Sequence, residues 1–141
     1  MPQERTLVMI KPNAVKKNAI GAIIHGFESK GLRVVGARLE QLSPEACQRF
    51  YAEHKGKFFF DGLVTFMSSA PTMLLALEGE NAVALAREIM GDTNPEKAAV
   101  GTIRAEFADN MTENAVHGSD SPVSAQRELE FHFEQDQLCG C

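Results

Sequence analysis

Asn114-Ala115-Val116-His117-Gly118-Ser119-Asp120-Ser121 is the stretch in which the chain turns from its last strand into its last helix. Ala115-Val116 is a short apolar step that fits the end of a strand. Gly118 follows, where the backbone can turn sharply or come close to a ligand. Ser121 and Pro122 then read as a helix N-cap and first helical position, where the missing proline N–H costs nothing. His117 is thereby expected at a strand-to-helix corner, beside a helix N-terminus that favours anions. Taken alone, such a histidine is more often a turn residue without chemistry.

Working outward, Thr6 to Ile10 is an unbroken apolar run of the kind found in buried strands, ended by Pro12. Asn18 can cap a helix over residues 19–30, with Ile20, Ile23, Ile24 and Phe27 at i, i+3, i+4, i+7 and Gly31 as its stop. Residues 33–42 read as a second strand with Val35, Ala37 and Leu39 on one face. Ser43-Pro44 opens a helix carrying Cys47, Phe50 and Tyr51, broken at Lys55-Gly56-Lys57. Asp61 can cap a short helix over residues 62–67, and a third strand covers residues 72–77. Asn81 can cap a helix over residues 82–90, ended by Gly91. From Gly91 to Glu113 the periodicity fades, and so long an irregular stretch in a compact domain is usually functional. The last helix runs from Pro122 to about Phe133. This order predicts an α+β fold: a ferredoxin-like sandwich with a four-stranded antiparallel sheet and helices packed on it.

A chain of 141 residues with 44% hydrophobic and 23% charged residues is expected to form one domain, residues 1–141, with 134–141 a short tail. The net charge of −5 argues against a nucleic-acid binder, which needs a basic stripe. No apolar run suits a secretion signal or a membrane span, and three cysteines without a disulfide pattern fit a reducing compartment, so a cytoplasmic location is expected. Cys47 reads as packing, and the Cys139-Gly140-Cys141 tail as a frayed end.

The usual kinase loops are missing. Gly56-Lys57 is followed by Phe58 rather than Ser or Thr, there is no Gly-x-Gly-x-x-Gly, and Phe60-Asp61-Gly62 is not Asp-Phe-Gly. Phosphoryl transfer by this chain would need a nucleophilic side chain. Imidazole suits it, being mostly neutral near pH 7 with an ordinary pKa of about 6.5. Its other ring nitrogen needs a partner, and Glu128, seven residues past Ser121 on the last helix, can supply one. From spacing alone Glu128 reads rather as a solvated helix acid. Lys11, Arg87 and Arg104 could stabilise a phosphoryl group in flight, though each alone reads as a surface charge.

The string Asn114–Ser121 resembles the active-site signature of nucleoside diphosphate kinases. Three further segments are similar to that family in the same order: Arg5–Val15, Gly91-Asp92-Thr93-Asn94-Pro95 and Gly101-Thr102-Ile103-Arg104. The resemblance runs from Arg5 to about Phe133. It implies transfer of the γ-phosphate of a nucleoside triphosphate to a nucleoside diphosphate, by a ping-pong route through phosphorylated His117. It implies that Glu128 orients the imidazole, that Ser119 supports Glu128, and that Tyr51 lies beside the histidine. Lys11, Arg87, Thr93 and Arg104 match phosphate-contacting residues, and Lys11 and Asn114 match residues on the sugar hydroxyls. Phe59 is the expected base-stacking residue, since a flat ring takes any base. Mg²⁺ is expected on the nucleotide phosphates rather than in a protein ligand set, and His25, His54 and His132 read as structural. The partners implied are nucleoside di- and triphosphates and further copies of the chain, in a homo-oligomer built on a dimer. Acids at Glu130, Glu134 and Asp136 are expected to weaken contacts beyond that dimer. Phe58 stands where many members have proline. The alternative is a catalytically silent nucleotide-binding module of the same fold, which would be marked by loss of His117, Lys11 or an arginine.

Overall fold

The computed structural model describes residues 3–139. Cys141 of the tail lies outside them. Four strands, β1 (Gln3–Ile10), β2 (Arg33–Glu40), β3 (Thr72–Glu80) and β4 (Val116–Gly118), form one antiparallel sheet in the order β2-β3-β1-β4. Among the described residues seven α-helices pack around it: α1 (Pro12–Lys16), α2 (Ile20–Glu28), α3 (Pro44–Phe50), α4 (Phe60–Ser68), α5 (Ala82–Met90), α6 (Ile103–Phe107) and α7 (Pro122–His132). This is the expected ferredoxin-like α+β sandwich. No helix among the described residues is long and apolar enough to cross a membrane.

The unbroken apolar run of β1 has a direct cause: both faces of the central strands are covered. Val8 and Ile10 join Leu75 and Leu77 in a core shared with Ile23, Phe27 and Met90 of α2 and α5. Leu7 and Met9 join Leu74 and Ala76 in a second core, with Cys47, Met67 and Leu129 of α3, α4 and α7. Burial raises the Cys47 thiol to about 11, which leaves it a packing group.

Several local expectations are corrected. Val34 pairs with Leu77 and Gly36 with Ala76, so Val35 is an inserted residue in β2. Such a bulge reverses the alternation of faces. Val35 is buried in the second core, whereas Ala37 and Leu39 pair with Leu75 and Met73 on the opposite face, and Leu39 is 54% exposed. Pro12 does not merely end β1; it opens α1. Asn18 takes a left-handed φ of 59° between α1 and α2 instead of capping, and α2 begins at Ile20. Asp61 lies inside the first turn of α4, whose cap position is Phe59. Asn81 holds the cap position of α5 with a φ of 51°, but Glu4 Oε1 accepts the free Val83 N–H instead. Ser43 and Ser121 cap α3 and α7 as expected, accepting from the N–H groups of Ala46 and Ser124 at 3.1 Å each. Within the irregular stretch, Thr102 caps α6, accepting from the Ala105 N–H at 3.4 Å.

Candidate active site

The register of β4 against β1 sets His117 opposite Met9 at the sheet edge. Gly118 is part of the strand rather than a turn, and its missing Cβ leaves room for the Met90 sulfur, 2.8 Å from where that atom would sit. Just before the strand, Ala115 takes a φ of 77°, and the Val116 N–H donates to the Asn114 carbonyl at 2.9 Å. This is the strained form of γ-turn, rare for a residue with a Cβ. The Lys11 N–H holds the turn by donating to the Ala115 carbonyl at 2.8 Å. Nothing in the residue pattern announces it.

His117 Nε2 lies 2.9 Å from Glu128 Oε1, and the Ser119 hydroxyl donates to the same oxygen at 2.8 Å. Ser119 is itself buried and tied to β1, where its N–H donates to the Leu7 carbonyl and the Leu7 N–H to its hydroxyl. Burial opposes the charge on Glu128. The hydrogen bonds from His117 and Ser119, with the Arg127 guanidinium 3.7 Å from the other oxygen, still hold the carboxyl below its ordinary range. An ionised Glu128 requires the proton to sit on Nε2, so Nδ1 carries the lone pair. Phe50 and Tyr51 stand edge-on to the imidazole, with ring centroids 5.6 and 6.5 Å away. The Tyr51 hydroxyl is buried without a partner, and burial raises it far above the ordinary phenol range.

His117 borders a cleft of about 670 Å³. Lys11, Arg87 and Arg104 reach it from three different elements, with Thr93 and Asn114. The Lys11 ammonium donates to Asn114 Oδ1 at 2.8 Å, and burial together with the Arg104 charge lowers it to about 7. Arg104 donates to the carbonyls of Gly91 and Val116 at 2.9 Å each, and its Nε–H is buried without a partner. Burial and the nearby Arg87 charge lower it to about 10, against the pull of Asp92. Gly91 reaches this position with a φ of 89°, and Thr102 fills the space that a Cβ would need. Arg87 donates to the Gly118 carbonyl at 3.1 Å. Three basic side chains beside one imidazole give the cleft the chemistry to hold a polyphosphate. The same cleft has an apolar and aromatic part: Phe58, Phe59, Leu63 and Met111.

A family model described as nucleoside diphosphate kinase matches residues 4–138. The chain belongs to the nucleoside diphosphate kinase family. Solved nucleoside diphosphate kinases share the whole architecture. That of Aquifex aeolicus is 41% identical, with a TM-score of 0.94 over 97% of this chain and 99% of its own. That of the halophile Halobacterium salinarum, solved with CDP, is 39% identical, with a TM-score of 0.96 over 99% and 93%. That of Encephalitozoon cuniculi is 33% identical, with a TM-score of 0.93 over 98% and 94%.

Against this family frame, the cleft gathers nine of the residues singled out from the sequence: Lys11, Tyr51, Phe59, Arg87, Thr93, Arg104, Asn114, His117 and Glu128. Ser119 lies beneath it, reaching His117 only through Glu128. His54, Asp120 and Met111 are among the cleft residues that had no assigned part. His54, read as structural, stands on the wall against Phe59, its Nδ1 3.2 Å from Lys57 Nζ. Asp120 keeps its carboxyl below the ordinary range through the Ser124 hydrogen bond, against burial and with help from Arg87 and His117. Met111 sits on a loop whose base is latched to α1. Asn13 donates to Asp109 Oδ2 at 2.9 Å and to the Glu113 carbonyl at 2.8 Å, and Lys17 pairs with Asp109 at 2.7 Å. The i, i+3 spacing of Tyr51 and His54 on one side of the aromatic run was the signal available for His54.

Proposed function

We propose that the chain moves the γ-phosphoryl group of a nucleoside triphosphate, typically ATP, to a nucleoside diphosphate in two half-reactions through His117. The observation that carries this reading is the engagement of Nε2 by Glu128, which leaves Nδ1 as the nucleophile beside three cations. In the first half-reaction the Nδ1 lone pair attacks the γ-phosphorus. A P–N bond forms, the bond to the β,γ-bridging oxygen breaks, and the nucleoside diphosphate leaves with that electron pair. The ring becomes cationic, and the Glu128 carboxylate offsets the charge without taking the Nε2 proton. In the second half-reaction a terminal oxygen of the acceptor's β-phosphate attacks phosphorus and the P–N bond breaks. Lys11, Arg87 and Arg104 stabilise the charge spread over the equatorial oxygens, with Thr93 donating a hydroxyl hydrogen bond. The buried, unpartnered Arg104 Nε–H is the kind of donor that an anion would satisfy. Lys11 and Asn114 meet the sugar hydroxyls, Phe59 stacks on the base, and Tyr51 and Ser119 steady the His117–Glu128 pair. The CDP held by the Halobacterium salinarum relative supports a nucleoside diphosphate as the occupant of this cleft.

Mg²⁺ belongs to this reading as an ion carried by the nucleotide. The carboxylates on the cleft are Glu53, Asp120 and Glu128, the last committed to His117. Among the described residues no group of three His, Cys, Asp or Glu side chains forms a metal cage. That donor set fits a magnesium ion held by phosphates, with Asp120 available to its water shell. Bound there, the ion would neutralise charge on the phosphate oxygens. Residues 1–141 act in this reading as one kinase domain with a short tail from 134, in a homo-oligomer built on a dimer, in the cytoplasm.

The test is incubation with γ-labelled ATP followed by acid treatment. The label is expected on protein, acid-labile, discharged by GDP, and absent from His117→Ala. A label that persists in His117→Ala overturns the proposal.

A further inference from the structure

Phe58, Phe59 and Phe60 are consecutive but have three different fates. Phe60 is buried in the second core, Phe59 is half-buried at the cleft, and Phe58 is 99% exposed. A fully wet phenyl contributes nothing to the core. Among the described residues its ring packs against Phe59, with centroids 5.6 Å apart and planes at 88°. Phe58 nevertheless borders the cleft, together with Phe59, Leu63 and Met111. Lys57 Nζ lies over the Phe59 ring, 5.8 Å from its centroid, and Lys57 is not among the cleft residues.

From this geometry we propose that Phe58 is a specificity-determining residue that favours purine over pyrimidine nucleotides. The inference rests on the reading of Phe59 as the base platform. A base stacked on Phe59 lies parallel to that ring and so perpendicular to Phe58. In the proposed pose Phe58 presents its face to the edge of the base rather than to its plane. The electron-rich face of a phenyl ring attracts the positive C–H and N–H edge of an aromatic system. A two-ring purine extends further across the platform than a one-ring pyrimidine and gains more of this contact. Covering Phe58 also removes its apolar surface from water, a gain that the free protein leaves unrealised.

The experiment compares wild type with Phe58→Ala and Phe58→Tyr. Each enzyme is phosphorylated with ATP, freed of nucleotide, and mixed with ADP, GDP, CDP or UDP, and kcat/KM for discharge is measured. In Phe58→Ala the purine-to-pyrimidine ratio is expected to fall by about 3- to 10-fold, and in Phe58→Tyr to stay near the wild-type value. A ratio unchanged within about 2-fold in Phe58→Ala overturns the proposal. A changed assembly size by light scattering with an unchanged ratio also overturns it, because Phe58 would then be a contact between copies. Calorimetric titration of the unphosphorylated proteins with ADP and CDP gives the same ratio without phosphoryl transfer. If wild type forms no phosphohistidine, the proposed mechanism fails while the Phe58 assignment is still decided by that titration.

Discussion

The two ends of the cleft are built differently. At the proposed phosphate end, His117 is carried by a sheet strand, Glu128 by an eleven-residue helix, and Ser119 is tied to Leu7 of β1 through its N–H and its hydroxyl. Arg104 and Arg87 are pinned through backbone carbonyls, and Lys11 and Arg104 are nearly sealed from water. At the base end, Phe58 and Met111 project from loops and are 99% and 59% exposed. Chemistry that depends on alignment within a fraction of an ångström sits on rigid elements. Under the proposed function, recognition of a flat base, which tolerates sliding, falls to the loop-borne side chains. The difference predicts that changes at the phosphate end act on kcat, and changes at the base end on KM.

The largest effect is expected from Lys11→Met, which keeps the length of the side chain and removes its charge. The phosphorylation rate should fall by roughly 10²- to 10³-fold, as for loss of one preorganised donor, in single-turnover measurements with ATP. The same residue gives a pH dependence. With its ammonium lowered to about 7, Lys11 is charged below that pH and loses its proton above it, so the single-turnover phosphorylation rate of wild type should fall from pH 6 to pH 8.5 through this group. In Lys11→Met that slope should flatten.

Next is Glu128→Gln, which keeps a side chain of the same shape but removes the negative charge opposite Nε2. A fall in kcat of roughly 10²-fold with KM little changed is expected in steady-state assays. A change confined to KM would break the contrast between the two ends.

Asp109→Ala releases the latch under the Met111 loop. KM for the nucleoside diphosphate should rise by about 3- to 10-fold with kcat within about 2-fold, and Asp109→Asn should recover part of the loss by keeping one acceptor. The double variant with Met111→Ala should be non-additive, because both changes act on one loop.

The smallest effect on turnover, but a clear one on stability, concerns His132, buried one helical turn beyond Glu128 against Phe50. Burial, with the Arg38 and His117 charges, lowers it to about 4, against the pull of Glu128. An unfolded chain takes up this proton as pH falls through about 6.5, while the folded protein resists until about 4. Stability should therefore be lost as pH falls from about 6.5 to 4, by roughly 2–4 kcal/mol from this group, and be unaffected above that window. Urea midpoints of wild type and His132→Gln at pH 7.5 and 4.5 check it, the variant losing less.

Much of the site could be read along the chain because family motifs are local strings, and His117, Ser119, Asp120 and Ser121 travel together in one of them. Caps and stops were legible where one side chain meets a neighbouring N–H, as at Ser43 and Ser121, or where a glycine ends a helix, as at Gly91. They misled at Asn18 and Asn81, because asparagine also tolerates the left-handed backbone that both adopt. The β2 bulge was invisible because alternation in sequence presumes a regular ladder, and only pairing with β3 reveals the extra residue.

The amino-acid order by itself determined the four strands, the longer helices and the two-sided burial of β1, and read with the family resemblance it singled out His117, Glu128, Lys11, Arg87 and Arg104 as candidates; it did not reveal α1 or α6. The tertiary structure alone decided that Lys11 meets Asn114 across 103 positions, that its ammonium loses most of its preference for charge, and that Phe58 is left wet at the mouth of the cleft. The physical reason is range. Propensity, capping and motif chemistry act over a few residues, whereas desolvation and charge proximity depend on which distant segments the fold brings together.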